Sequence, residues 1–163
     1  MNPLATTIRT IAVLLLLSGC SQKAASEKAV VHKHEHVPPH HGTPIVLGTE
    51  EYHIELTLDS AAGKLQAYVM DGELENFVRV QQSSFEVVAS HQGHEDTLIF
   101  KAVANHATGE TVGDTSQFEA QADWLRTEKE FDGILKVLSV RGSKYEEIQF
   151  NFPKGNDTDE KTK

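Results

Sequence analysis

Nine histidines against a single cysteine set the chemistry open to this chain of 163 residues. Five of them, His32, His34, His36, His40 and His41, crowd into one short stretch. In an extended chain, residues two apart project to the same side at about 6.6 Å intervals. His32, His34 and His36 can therefore converge on one ion with modest bending, and Glu35 can add a carboxylate oxygen. Pro38 and Pro39 then redirect the chain ahead of His40 and His41. Neutral imidazole suits copper, zinc and nickel, and histidine-rich tracts are a recognised metal-binding composition. The plainer alternative is a solvated linker whose charge varies with pH. A weaker constellation is His91 and His94, with Glu95 or Asp96, in an expected loop; a three-residue spacing on a turn can supply two ligands. His106 follows the next expected strand and is a third weaker candidate. His53 is expected at the surface, on the polar face of its strand.

Catalysis finds little support. There is no nucleophile elbow, no His-Glu-x-x-His pair and no glycine loop to cradle phosphate. Glu146 and Glu147 point to opposite sides of a strand. The expectation is a binding protein, not an enzyme. Lys and Arg number 15 against 24 Asp and Glu, for a net charge of −9. Such a surface repels phosphate backbones and disfavours nucleic acid as a partner.

The elements that must position these residues begin with an address. Arg9, the apolar run 11–17 and the small residues after it form a secretory signal peptide, too short to span a bilayer as a helix. Leu17-Ser18-Gly19-Cys20 resembles the bacterial lipobox. That resemblance implies cleavage before Cys20, lipidation of Cys20, and attachment to a membrane through the acyl chains. With Ser21 next, and not Asp, it implies a periplasm-facing protein held at the outer membrane and not the inner one. The expected organisation is a signal peptide over 1–19, a lipidated cysteine and histidine-rich tether over 20–43, a domain over 44–153, and a disordered polar tail over 154–163.

Within the domain the pattern has a period of two. Tyr52, Ile54, Leu56 and Leu58 alternate with His53, Glu55, Thr57 and Asp59, and 64–71 repeats the alternation; both read as half-buried strands. Further strands are expected over 77–80, 85–90, 97–104, 117–125, 133–140 and 145–152. Arg141-Gly142-Ser143 reads as the hairpin between the last two, while 117–125 could also be a short helix. Short strands at this spacing predict an all-β antiparallel sandwich, immunoglobulin-like, of seven or eight strands. Tyr52, Leu56, Val69, Phe85, Phe100, Trp124, Leu138 and Phe150 are the expected core.

His-His-Gly at 40–42, then Tyr52-His53-x-Glu55, then Gly63-Lys64-Leu65-x-x-Tyr68-Val69-x-Asp71 together resemble a pattern of small bacterial periplasmic lipoproteins and domains. Similar segments occur in proteins associated with heavy-metal efflux, and 131–152 is similar to that group's closing hairpin. Thr43 stands where the pattern has a second glycine, and the tail lacks histidine. The resemblance implies an envelope location and a small β domain. With the histidine tract, it implies a lipid-anchored protein that binds or buffers copper, zinc or nickel beside an envelope metal-transport complex. The competing expectation is a structural or interaction module that binds no metal.

Overall fold

The computed structural model describes residues 37–157. Eight strands form one sheet: β1 (Thr43–Leu47), β2 (Tyr52–Asp59), β3 (Lys64–Asp71), β4 (Ser84–His91), β5 (His94–Ala102), β6 (Gln117–Gln121), β7 (Phe131–Val140) and β8 (Ser143–Phe152). All neighbours are antiparallel, in the order β1-β2-β3-β6-β5-β4-β7-β8. Two hairpins turn on residue pairs whose backbones both lie at positive φ, Gln92-Gly93 (46° and 82°) and Arg141-Gly142 (48° and 93°). Positive φ at both central positions matches the right-handed twist of the flanking strands and favours glycine there.

The all-β antiparallel expectation holds, but the sandwich does not. The sheet curls into a nearly closed barrel, because its outer strands β1 and β8 meet. Thr43 Oγ1 donates to Pro153 O (3.1 Å). Asn156 completes the seam with its side-chain amide: Val46 N donates to Oδ1 (2.7 Å) and Nδ2 donates to Val46 O (3.1 Å). One amide thus stands in for a missing strand and covers edge groups that would otherwise invite another chain. Asn156, which falls within the 154–163 expected as a polar tail, is therefore part of the seam. Asn156→Ala should cost about 1–3 kcal/mol, since it strands a donor and an acceptor on Val46. Denaturant unfolding checks the cost, and faster hydrogen exchange at the Val46 amide locates it.

The barrel interior is filled by Ile45, Leu47, Ile54, Leu56, Leu65, Val69, Phe85, Phe100, Phe118, Leu138 and their neighbours. Gly133 lies opposite Phe150, and a Cβ there would fall 2.3 Å from the Phe150 ring. On β7 the buried positions switch from Phe131, Gly133 and Leu135 to Leu138 and Val140. The switch coincides with Lys136 and Glu147, which drop out of the backbone ladder while their side chains form an ion pair, Glu147 lying at φ 52°. Three sequence expectations change. Residues 77–80 make isolated bridges, not a strand. The segment 117–125 divides into β6 and a 3-10 turn at Asp123–Arg126. Trp124 and Tyr52, expected in the core, are half-buried and pack against it, Trp124 from that turn.

Candidate metal-ligand site at His40

Glu55 lies on the outward-facing side of β2, where alternation alone would put it in water, yet it is 0% exposed. The segment before β1 covers it. Residues 38–41 form a tight turn in which His41 N donates to Pro38 O (3.0 Å), with His41 at φ 55°. The chain then lies flush on β2 at Gly42, where a Cβ would fall 2.4 Å from Leu56 O. Glu55 Oε1 accepts the backbone N–H groups of His40 and Gly42, both at 2.8 Å. Its Oε2 lies 2.8 Å from His40 Nδ1. Gly42 of His40-His41-Gly42 and Glu55 of β2 thus meet in this clasp.

Tyr68 forms the floor. It sits directly across from Glu55 on β3, and the His40 ring stacks on it at 4.0 Å and 14°. Phe77 closes one flank, 5.8 Å from the imidazole. Burial raises the Tyr68 phenol above its ordinary value. The negative charges of Glu55 and Glu119 push the same way, and Lys64 opposes them. Tyr68 is therefore a neutral platform at physiological pH.

The chemical consequence concerns the tautomer of His40. A carboxylate only accepts, so the neutral imidazole carries its proton on Nδ1 and its lone pair on Nε2. Among the described residues Nε2 has no hydrogen-bond partner, and the His40 side chain is 36% exposed. A carboxylate that fixes one ring nitrogen so that the other can bind a metal is a recurrent second-shell arrangement.

The other candidates are dispersed. His91 and His94 are not in a loop. They are a cross-strand pair at the tip of the β4–β5 hairpin, with ring centroids 6.2 Å apart. The connection has only two residues, so what reads as a polar loop is mostly strand. His91 stacks on Trp124 at 3.9 Å and 14°, and its Nε2 lies 2.8 Å from Asp96 Oδ2. His94, His41 and His106 are exposed. His53, expected at the surface, is 5% exposed with Nδ1 3.3 Å from Asp71 O. Four consecutive buried residues, His53–Leu56, show that alternation fixes side-chain direction and not exposure. Among the described residues no group of three or more His, Cys, Asp or Glu is placed to hold a metal ion. Cys20, His32, His34 and His36 lie outside the described residues.

Sequence reasoning singled out neither the role of Glu55 nor that of Glu110, which organises the loop carrying His106. Glu110 Oε1 accepts from Ser116 N (2.9 Å) and Ser116 Oγ (2.6 Å), and Oε2 accepts from Thr108 Oγ1 (2.7 Å). Arg79 Nε lies 3.8 Å away. Burial alone would raise this carboxyl. The hydrogen bonds from Ser116 and Thr108 and the charge of Arg79 outweigh burial and hold it below its ordinary 4.5. A carboxyl depressed on folding stabilises above its unfolded value and loses that contribution as pH falls through the folded one. Acidification below 4.5 should therefore loosen 105–116, seen as faster exchange of the Ser116 amide, and Glu110→Gln should remove that acid-sensitive step.

Against family models, curated proteins and solved structures, the chain matches no family model, no curated protein and no solved structure.

Proposed function

We propose that this is a lipid-anchored envelope protein that binds a transition-metal ion through its histidine-rich N-terminal segment, with His40 as the ligand fixed to the barrel. The reading rests on one observation: a buried carboxylate holds His40 through Nδ1 and a tyrosine platform stacks on its ring, which leaves Nε2 as the nitrogen for a metal. His32, His34, His36 and His41 supply the remaining imidazoles. Cys20 carries the acyl chains, and the natural setting is beside an envelope metal-transport complex, as a buffer or carrier and not as a catalyst.

Titration of the full chain with copper(II), zinc and nickel tests the reading. Copper(II) should bind most tightly, following the usual order for nitrogen sites. Imidazoles bind metal deprotonated and titrate near about 6.5, so affinity should fall steeply from about pH 7.5 to about pH 5.5, with protons released on binding. Replacing His32, His34, His36, His40 and His41 together by Ala should abolish most binding. Because His40 belongs to the folded domain, metal should also raise the melting temperature, as any ligand specific to the native state does. Unchanged tight binding in the five-histidine variant would refute the assignment and redirect attention to His91, His94 and His106.

A further inference from the structure

An apolar patch adjoins His40. Phe77 is 50% exposed, with its ring 5.8 Å from the His40 ring and 6.1 Å from Tyr68. Val37, 64% exposed, enters the same turn three residues ahead of His40. Large apolar side chains gathered at one place on a charged surface mark a contact site. The rim of the patch is acidic. The connection from β3 to Phe77 carries Asp71, Glu73 and Glu75. It is held in place: Asp71 Oδ1 accepts Glu75 N (3.0 Å) and Asn76 N (3.1 Å), and the buried Leu74 anchors it from below. Between Lys64 and Arg79 the sequence has no basic residue. Both flanking cations are engaged, Lys64 by Glu119 (3.0 Å) and Arg79 by Asp114 (3.0 Å) and, at 3.8 Å, Glu110. The patch therefore suits an occupant that is apolar at its centre and basic at its ends.

We propose that the occupant is the chain's own residues 28–33, Lys28-Ala29-Val30-Val31-His32-Lys33, which lie outside the described residues. Between Cys20 and Val37 this is the one stretch with branched aliphatic side chains, and a lysine stands on either side of them. Val30 and Val31 cover the exposed Phe77, while Lys28 and Lys33 meet Glu73 and Glu75. Reach is sufficient: six residues separate Val31 from Val37, a span of up to about 20 Å. A separate protein would bear the full cost of association, whereas this segment is already joined to the patch at Val37 and meets it at high effective concentration. Docking needs no ion, so it goes beyond the function proposed above. It also bears on that function. With the chain held at Lys33 and again at Val37, His34 and His36 lie in a short loop beside His40, and the patch organises the ligand set without touching the metal.

The test is paramagnetic relaxation in the full-length, metal-free chain. A nitroxide on Ala29→Cys, with Cys20→Ser leaving one reactive thiol, should broaden the amide signals of Phe77 and Tyr68 most strongly. Val30→Ser with Val31→Ser should cut that broadening at least about fivefold, because the apolar contact is gone. Glu73→Lys with Glu75→Lys should cut it as well, and adding Lys28→Glu with Lys33→Glu should bring it back. Broadening spread evenly over the barrel, centred away from Phe77, or indifferent to these changes overturns the proposal. So does broadening that grows with protein concentration, which would assign the patch to the segment of another copy. Should the Glu73 and Glu75 replacements prevent folding, the valine replacements, which precede the barrel in sequence, decide alone. In the unlabelled chain Val30→Ser with Val31→Ser should also weaken copper(II) binding several-fold, and unchanged affinity would overturn the organising role. Docking without metal binding refutes the proposed function alone; metal binding without docking refutes the docking alone.

Discussion

Glu55→Gln should leave the barrel folded and weaken metal binding about 10- to 100-fold, the usual cost of disturbing a second-shell partner. The glutamine Oε1 can still accept the N–H groups of His40 and Gly42, now held at 2.8 Å by the carboxylate. Its amide, however, donates where the carboxylate accepted. The His40 proton must move from Nδ1 to Nε2, and the outward lone pair disappears. Glu55→Ala differs in kind. It leaves two backbone donors and an imidazole without their partner and should cost about 2–3 kcal/mol of stability. Isothermal titration with copper(II), run beside denaturant unfolding, separates the two variants. Unchanged metal affinity in Glu55→Gln would show that His40 is a structural histidine and that the tract binds without it.

Phe100→Ala should be the most damaging single truncation, at about 3–5 kcal/mol. Phe100 is fully buried on β5 and stacks on Phe85 at 4.8 Å and 6°. Phe85 in turn meets the Phe118 ring edge-on at 5.1 Å. The three rings come from β4, β5 and β6, where β5 and β6 share only two residue pairs. Packing therefore holds the wall together where hydrogen bonding is thinnest. Trp124 makes the contrast. It lies on the rim, stacked on His91, and its buried Nε1 has no partner among the described residues. Trp124→Phe should be close to neutral, since it removes an N–H whose burial is uncompensated. Chemical denaturation of both variants tests the ranking, and a larger loss at Trp124 than at Phe100 would reverse it.

The local half of this architecture was legible in the sequence. Alternation located β2, β3, β7 and β8 to within a few residues, and Arg141-Gly142 marked the last hairpin. β1 escaped notice because Thr43–Leu47 is short, begins Thr-Pro and has no polar alternation. The β4–β5 hairpin escaped because Gln92-Gly93 is a less emphatic turn signal than Asn-Gly, which made strand residues read as loop. The choice between barrel and sandwich was beyond local pattern. It depends on which distant strands pair, and the pairing of β3 with β6 joins residues as far apart as Lys64 and Gln121. The site divided similarly. The histidine spacing pointed to metal chemistry, but periodicity cannot show that a segment folds back over Glu55. Only the contact between residues 40–42 and β2 turns a surface carboxylate into a buried one.

The Glu55 clasp also has a mechanical meaning. Force transmitted along the N-terminal segment enters the barrel at the start of β1, at the corner where Thr43 faces Leu56. From that corner an antiparallel strand peels one bond at a time, the weakest way to load a ladder. The clasp stands upstream of the corner, and its contacts to His40 N, His40 Nδ1 and Gly42 N share the load in parallel. A tug through the segment ahead of His40 is thus taken up at a strain-relief knot, and β1 stays seated until that knot slips.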